Sequence, residues 1–258
     1  MSRDQNIQDI DLSTLLDALR DERIAFAYQP VVRSSDGSVA YYETLLRVVG
    51  DKGGPFEAAV LIPVAEQLGH SRRIDRRVLE LAVADLNRDP DIRLAINISG
   101  HTATDRSWLR LLTSLIEGRH RIASRLTIEI TETAEIHDFE EAFRMVSAFR
   151  KMGCKVALDD FGTGYASFRQ LKNLPVDIVK IDGSFIRGIA MDGESQEFLD
   201  TLLAYTTASG IETVAECVEK TADRDYLLTR GVTYFQGWIY GRPELNVPAD
   251  PIRSTPAA

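Results

Sequence analysis

The stretch Leu126-Thr-Ile-Glu-Ile-Thr131 shows an alternation that recurs through this chain. Leucine and isoleucine occupy every second position, so in an extended strand they share one face and Glu129 lies on the other. Glu129 also falls near the carboxyl end of the run. In barrels of parallel strands, that end is where side chains assemble into a site. The stretch therefore predicts a buried strand that delivers a carboxylate to such a site.

Other short apolar runs follow the same pattern, each with a polar side chain at or near its carboxyl end. These polar residues are Asn97, Asp159, Lys180 with Asp182, and Glu216. A single example would fit a solvated strand end, because charged side chains are mostly exposed. Five strands that share the feature indicate one common site instead.

Strand-like and helical segments alternate along the chain. The predicted strands are Ile24–Val32, Ser38–Arg47, Leu94–Ser99, Leu126–Thr131, Lys155–Asp160, Asp177–Asp182, Thr213–Val218 and a run near Thr233–Gln236. The predicted helices are one that carries Ile10, Leu12, Leu15, Leu16 and Leu19, then Phe56–Leu68, Ile74–Leu86, Trp108–Glu117, Phe139–Met152, Tyr165–Leu171, Gln196–Ala208 and Ala222–Leu228.

This alternation over 258 residues predicts an α/β fold, a TIM-like (β/α)8 barrel, with a doubly wound open sheet as the alternative. We expect three segments. They are a helical lead-in over 1–22, the barrel over 23–245 and an unstructured, proline-containing tail over 246–258.

The charge balance excludes some classes of protein. The chain has 30 Lys plus Arg and 39 Asp plus Glu, a net charge of −9. A protein that coats nucleic acid or an anionic membrane through bulk charge would be basic. We therefore expect no bulk nucleic-acid binding and no membrane contact from this segment, and any anionic ligand must be held locally.

The two cysteines, Cys154 and Cys217, form no C-x-x-C pair, so neither a disulfide framework nor a thiolate zinc site is indicated. The first eleven residues have no apolar signal region, and no run reaches the about 18 apolar residues of a membrane span. These features favour a cytoplasmic location.

The predicted site is rich in oxygen ligands. Glu43, Glu129, Asp159 and Asp160, gathered with the amide of Asn97, would repel one another without a cation. Oxygen ligands favour Mg²⁺ or Mn²⁺ over zinc. The histidines have no metal-binding spacing and are expected in surface or capping positions: His70, His101, His120 and His137.

From about Phe26 to Pro243 the chain resembles the EAL family of cyclic-di-GMP phosphodiesterases. The resemblance rests on motifs in a fixed order: Tyr28-Gln29-Pro30, Glu43-Thr44-Leu45-Leu46-Arg47, Asn97-Ile98-Ser99, Glu129-Ile130-Thr131-Glu132, Asp159-Asp160-Phe161-Gly162-Thr163-Gly164-Tyr165, Lys180-Ile181-Asp182, Ala215-Glu216-Cys217-Val218-Glu219 and Gln236-Gly237.

The resemblance implies a barrel whose first strand is antiparallel to the others, with two Mg²⁺ or Mn²⁺ ions at its mouth and Ca²⁺ inhibitory. The implied ligands of the first ion are Glu43, Asn97, Glu129 and Asp159, and those of the second, directly or through water, are Asp159, Asp160 and Glu216.

Other roles follow from the same resemblance. Arg47 would bind a phosphate of the ligand, Gln29 would help to fix the nucleotide, and Gln236 would support the water network. Glu132 would anchor the loop after Asp160.

Three residues are expected in the chemical step: Lys180, Glu216 and Asp160, the last as a ligand of the second metal. Lys180 would orient the attacking water, with an ion pair to Asp182 inside the barrel as the alternative. Glu216 is either the general base or a ligand of the second metal, and the sequence leaves both open.

The function implied is hydrolysis of cyclic-di-GMP to linear 5′-pGpG by a water activated between two metals. The alternative is a cyclic-di-GMP receptor of little activity, or a regulatory interaction domain. A homodimer and a sensor or GGDEF partner domain are the expected partners.

Two departures from the family pattern concern small residues. Thr44 replaces an alanine, and Cys217 replaces a glycine. Strand alternation predicts that Cys217 is a small buried residue facing the helices, and the alternative is a redox-sensitive thiol beside Glu216.

Overall fold

The fold was analysed in a computed structural model of the chain. It describes residues 12–21, 23–49, 55–58, 61–131, 139–163 and 171–247.

Within the described residues, nine strands form a single sheet that closes on itself. They are β1 (Ile24–Arg33), β2 (Val39–Val49), β3 (Pro55–Glu57), β4 (Leu94–Ile98), β5 (Leu126–Thr131), β6 (Lys155–Phe161), β7 (Ile178–Ile181), β8 (Glu212–Ala215) and β9 (Tyr234–Gln236). Their order is β1-β9-β8-β7-β6-β5-β4-β2-β3, and β1 also pairs with β2. Eight strands thus close a barrel, with β3 added at the edge of β2, and the predicted barrel is confirmed.

The first strand runs against its neighbours. β1 is antiparallel to β2, with Gln29 opposite Glu43, and antiparallel to β9, with Val31 opposite Gln236. The pairs from β4 to β9 are all parallel. The expected variant with an antiparallel first strand is therefore confirmed.

Helices surround the strands. They are α1 (Leu12–Arg20), α2 (Ile62–Gln67), α3 (Ser71–Arg88), α4 (Arg106–Ile116), α5 (His120–Ala123), α6 (Phe139–Met152), α7 (Gly183–Ile186), α8 (Gly193–Ser209) and α9 (Thr221–Arg230). Short 3₁₀ turns lie at Thr102–Thr104 and Ile189–Met191.

The predicted helix over Phe56–Leu68 is wrong at its beginning. Pro55–Glu57 is a strand that pairs antiparallel with β2, where Arg47 lies opposite Glu57. The helix begins at Ile62 and has a proline in its first turn, a position that needs no backbone donor. An apolar segment of this length does not distinguish a helix from a short edge strand by periodicity alone.

Two strand ends are also shorter than predicted. β8 ends at Ala215 rather than Val218, and β7 ends at Ile181 rather than Asp182. The predicted helix at Tyr165–Leu171 falls largely outside the described residues, as do Ile10 and residues 248–258 of the predicted tail. The segment boundaries at residues 22 and 245 stay predictions.

Apolar side chains form two layers. The larger one lies between strands and helices, and α1 joins it through Leu15, Ala18 and Leu19. The smaller one, which we call the lumen plug, consists of Val31, Ala40, Tyr41, Ala95, Ala157, Ile178, Val214 and Tyr234. Several of its members precede polar residues of the same strand face by two positions, so the plug lies below those polar side chains.

Among the described helices, none combines the length and the hydropathy needed to cross a bilayer.

Candidate functional site

The structure brings the predicted polar residues together at the carboxyl ends of the parallel strands. Every one is held by a different strand or follows one, apart from the adjacent pair on β6. They are Glu43 on β2, Asn97 on β4, Glu129 on β5, Asp159 and Asp160 on β6, Lys180 on β7, Glu216 after β8 and Gln236 on β9. The alternation seen in the sequence places them there, because residues two apart on a strand share a face.

Lys180 lies in the middle of the carboxylates. Its Nζ atom is 2.9 Å from oxygens of Glu129, Asp159 and Glu216, and 3.4 Å from Glu43. The Lys180 and Glu129 residues are fully buried. The alternative pairing of Lys180 with Asp182 is wrong. Because β7 ends before it, Asp182 instead accepts a hydrogen bond from the Ser184 backbone N–H at 2.8 Å and caps α7.

A β-bulge presents two consecutive aspartates at the site. The β6–β7 pairing shifts register between Leu158 and Phe161, so β6 carries an extra residue. Asp160 there has φ of 55°, in the left-handed region that aspartate tolerates better than most residues. The Asp160 backbone N–H donates to Asp159 Oδ1 at 3.0 Å. The bulge interrupts the alternation that would otherwise send neighbouring side chains to opposite faces.

The carboxylates form two overlapping sets, each with ligand atoms within 4.8 Å of one another. Glu43, Glu129 and Asp159 form one set, and Asp159, Asp160 and Glu216 form the other. Asp159 belongs to both. Such a cluster can hold metal ions, with one carboxylate shared between two positions.

Several oxygens of the same cluster have no hydrogen-bond partner, which bears on whether these residues suit a metal ion. Asn97 Oδ1, Glu129 Oε1 and Gln236 Oε1 are buried and have no hydrogen-bond partner. A buried polar atom without a partner costs about 1–3 kcal/mol, and native proteins rarely leave one. Oxygen atoms in an acidic cluster are the donors that a hard divalent cation prefers, so these residues fit such an ion.

Burial and mutual repulsion govern the titration of the cluster. Burial raises the pKa of Glu216 to about 8 and that of Asp160 to about 6, and the charge of Asp159 adds to both shifts. The pKa of Glu129 is raised well above its ordinary value by burial and by Glu43. For Glu43, burial is outweighed by Lys180 and by amide hydrogen bonds, so its pKa is lowered.

Burial also opposes the charge of the lysine in this cluster. The surrounding carboxylates outweigh that effect and raise the pKa of Lys180 well above its ordinary value.

Amide side chains connect Glu43 to the rest of the site. Asn97 Nδ2 donates to Glu43 Oε1 at 2.9 Å, and Gln236 Nε2 donates to Glu43 Oε2 at 2.6 Å. Gln236 also donates to Gln29 Oε1 at 3.2 Å, and Gln29 Nε2 donates to the Gly241 carbonyl at 3.4 Å. Glu43 is thus oriented from two sides, and Gln29 and Gln236 lie in one network.

Arg47 lies beside a cavity next to this cluster. The cavity measures about 150 Å³ and is lined by Thr44, Arg47 and Asn97, among others. Arg47 Nη2 is 3.2 Å from Glu57 on β3, and burial lowers the arginine pKa. The Thr44 hydroxyl donates to the Ala95 carbonyl at 2.7 Å, so the threonine is accommodated without an unpartnered group.

Comparison with known proteins places the chain in a family. The model of the EAL domain family matches residues 12–243. The chain belongs to the EAL domain family.

A curated relative supports the assignment to this family. The chain is 31% identical over 237 residues to the cyclic di-GMP phosphodiesterase PdeF of Escherichia coli strain K12, covering 90% of this chain and 32% of the relative. It therefore spans about a third of that protein's length.

Solved structures are similar as well. The PaMucR phosphodiesterase in complex with c-di-GMP is 28% identical with a TM-score of 0.80, covering 90% of this chain and 96% of the other. The FimX EAL domain of Pseudomonas aeruginosa bound to c-di-GMP is 26% identical with a TM-score of 0.83, covering 92% and 98%.

One predicted residue is less buried than expected, and another is not described. Cys217 follows the end of β8 with φ of 54°, so strand alternation does not determine its direction. Its side chain lies against Gly183 at the start of α7, so it faces a helix as predicted, but the prediction that it is buried is wrong. It is half-buried, and burial raises the pKa of its thiol, which disfavours a reactive thiolate. Glu132 lies outside the described residues, so its role as a loop anchor stays a prediction.

Sequence reasoning missed Asp75. This buried carboxylate on α3 accepts hydrogen bonds from the Ser99 backbone N–H at 3.0 Å and from the Ser99 hydroxyl at 2.8 Å. It therefore fastens the loop that follows Asn97. A signal was present, because Asp75 is an acidic residue on the apolar face of α3, between Ile74 and Val78.

Proposed function

We propose that this EAL domain hydrolyses cyclic-di-GMP to linear 5′-pGpG in the presence of Mg²⁺ or Mn²⁺. The observation that carries the proposal is the pair of carboxylate sets that share Asp159, together with the unpartnered oxygens of Asn97 and Glu129. The names of the relatives, a cyclic di-GMP phosphodiesterase and proteins bound to c-di-GMP, supply the substrate class.

The ligand assignment follows the two sets. Glu43, Asn97, Glu129 and Asp159 would hold one ion, and Asp159, Asp160 and Glu216 the other, directly or through water. Ions bound there would supply an acidified water and offset the negative charge of the phosphodiester.

The chain's own groups act around the reacting phosphorus. Arg47 would bind a phosphate oxygen through its guanidinium, and Gln29 would fix the nucleotide. Lys180 would orient the water whose oxygen attacks phosphorus in line with the 3′ oxygen. The bond from phosphorus to the 3′ oxygen breaks, that oxygen takes up a proton, and the product keeps a 5′ phosphate.

Glu216 has two proposed roles that differ in a testable way. As a general base it would accept the proton of the attacking water, and as a metal ligand it would leave that proton to the solvent or to a neighbour. Its replacement by Gln would lower the rate in both cases, but only the ligand role predicts a higher Mn²⁺ concentration for half-saturation.

The test is product analysis with purified protein. Wild type should convert cyclic-di-GMP to pGpG with Mg²⁺ or Mn²⁺, poorly with Ca²⁺, and not in excess chelator. Ca²⁺ prefers a longer and looser oxygen shell, which would displace the reacting water. Glu43→Gln should abolish turnover, and Glu117→Gln, an exposed carboxylate at the end of α4, should not.

Two outcomes would contradict the proposal. Turnover that persists in excess chelator would reject metal dependence. Saturable binding of cyclic-di-GMP without any cleavage would favour the receptor or regulatory-domain alternative.

The partners implied by the resemblance and the location favoured by the composition stay proposals. They are a homodimer, a sensor or GGDEF partner domain in a longer protein, and a cytoplasmic location. Sedimentation of the purified chain, with and without cyclic-di-GMP, tests the first.

A further inference from the structure

The end of the barrel opposite the carboxylates also has a cavity, which we call the floor cavity. It measures about 70 Å³ and is lined by Arg33, Ala40, Tyr41, Arg93, Ser124, Arg125, Thr127, Lys155, Ile178 and Tyr234. These residues come from the amino-terminal ends of the parallel strands and from the β1–β2 hairpin. The lumen plug contributes Ala40, Tyr41, Ile178 and Tyr234, so the cavity lies on its far side from the metal-ligand candidates.

Positive charge converges on this cavity in a chain of net charge −9. Arg33, Arg93, Arg125 and Lys155 all line it. Three carboxylates lie near this end of the barrel. Glu212 pairs with Lys155, Asp36 lies in the hairpin turn near Arg33, and Asp177, directly before Ile178, pairs with Arg150. Cations therefore outnumber carboxylates at the floor.

Two of the arginines lack an ion-pair partner within the described residues. Arg33 Nη1 donates to the Ser38 hydroxyl and the Val39 carbonyl, each at 3.0 Å. Arg93 Nη1 donates to the Ser124 carbonyl at 3.1 Å. Each guanidinium offers five N–H donors in a fork, so most donors of both groups remain for another acceptor.

Two tyrosines of the lumen plug also line the cavity. Tyr234 lies near Arg33 and Arg93, and its OH group donates to Glu212 Oε1 at 2.8 Å. Tyr41 is 6% exposed and its OH group makes no hydrogen bond, but the charges that act on this hydroxyl are those of the mouth: Glu129, Lys180, Glu43 and Asp159. The floor cavity therefore offers an anion its guanidinium groups rather than a free hydroxyl.

We propose that the floor cavity binds a small tetrahedral oxyanion of the phosphate class between the guanidinium groups of Arg33 and Arg93. The paired N–H donors of a guanidinium group match two phosphate oxygens, whereas a spherical halide offers no such pair of acceptors. The volume of about 70 Å³ suits one such ion, because cavities for nucleotides and drug-sized ligands measure about 300–1,000 Å³. This site is separate from the proposed hydrolysis and does not rest on it.

Calorimetric titration with inorganic phosphate tests the proposal. The full chain is titrated in EDTA, with NaCl holding the ionic strength constant. Wild type should bind phosphate saturably, and Arg93→Gln should raise the dissociation constant at least five-fold. Arg93 is exposed, so this variant is expected to fold. Arg33→Gln should show the same loss.

A control variant separates the floor from other positive charges. Arg110→Gln removes an exposed arginine on α4. It should bind phosphate as wild type does.

Three results would overturn the proposal. They are the absence of saturable binding in wild type, unchanged binding in Arg93→Gln, and an equal loss in Arg110→Gln. Because the titration contains no cyclic-di-GMP and no divalent ion, its result is independent of the proposed phosphodiesterase activity.

Discussion

Lys180 is a fully buried cation whose ammonium group lies against four carboxylates. Removing one partner of a buried ion pair typically costs about 3–5 kcal/mol, because the other charges stay buried without compensation. The lysine therefore stabilises the site as well as serving the proposed chemistry. Divalent ions offset the same negative charge, so the two contributions should partly replace each other.

We predict that Lys180→Met lowers the free energy of unfolding in EDTA by about 3 kcal/mol. Saturating Mg²⁺ should raise the melting temperature of this variant more than that of wild type. Its kcat should fall much more than its affinity for cyclic-di-GMP. Lys151→Met, an exposed lysine on α6, is the control and should resemble wild type in all three measurements. A Lys180→Met protein with native stability in EDTA would show that the carboxylates do not depend on the lysine.

Among the helices of the outer shell, Asp223 connects α9 to the turn that follows α7. This buried residue lies in the first turn of α9 and accepts hydrogen bonds from the backbone N–H groups of Gly188 and Ala190, each at 3.1 Å. Gly188 is the N-cap of the 3₁₀ turn Ile189–Met191 that follows α7, and Ala190 lies within that turn. Without the carboxylate, two N–H groups would lose their partner inside the protein.

Asp223→Ala should therefore destabilise the fold by about 3 kcal/mol in urea unfolding, since each unsatisfied buried donor costs about 1–3 kcal/mol. Asp225→Ala on the same helix is the matched control. Its side chain is 58% exposed and pairs with Arg224, so its removal should change stability by less than about 0.5 kcal/mol. Equal effects of the two substitutions would mean that helix propensity, rather than the two hydrogen bonds, determines the loss.

The elements also show what the sequence could predict and why the rest escaped. The helix Phe139–Met152 has the predicted bounds, because its apolar residues recur at helical spacing over 14 residues. Pro55–Glu57 was mistaken for helix because three residues are too few for any period to show.

The same reasoning applies to the site. Alternation identified Glu129, Asn97 and Asp159, which lie within regular strands. It could not predict how far Cys217 is buried, because the chain has left the strand there and φ is positive. It could not show that Lys180 contacts four carboxylates, because those contacts join residues more than 20 positions apart.

At the scale of the whole molecule, the barrel confines several carboxylates whose pKa is raised by burial. They are Glu129, Asp159, Asp160 and Glu216 at the mouth and Asp75 between α3 and β4, with Glu216 at about 8 and Asp160 and Asp75 at about 6. A carboxylate with a raised pKa binds its proton more tightly in the folded chain than in the unfolded one. Its contribution to stability is therefore largest below the ordinary pKa and is lost as the pH rises to the raised value.

Because these carboxyl groups contribute most to stability while they are protonated, the protein in EDTA should become less stable as the pH rises from about 4.5 to about 8. Many proteins show the opposite trend over the acidic part of that range, because paired carboxylates with lowered pKa values lose their stabilising charge in acid. Saturating Mg²⁺ should flatten the profile above pH 6, since cations bound at the mouth favour the ionised carboxylates there. Urea unfolding at half-unit pH steps, with EDTA and with Mg²⁺, measures both profiles.

Asp75→Asn separates the mouth from the rest of the barrel in this experiment. For Asp75, a pKa of about 6 instead of the usual 3.8 corresponds to about 3 kcal/mol. Its replacement should remove that part of the slope below pH 6, equally in EDTA and in Mg²⁺, because Asp75 belongs to neither carboxylate set. The slope between pH 6 and 8 should remain and should still respond to Mg²⁺. If stability in EDTA instead rises with pH across the whole range, lowered pKa values such as that of Glu43 outweigh the raised ones, and the cluster stabilises the barrel without any metal.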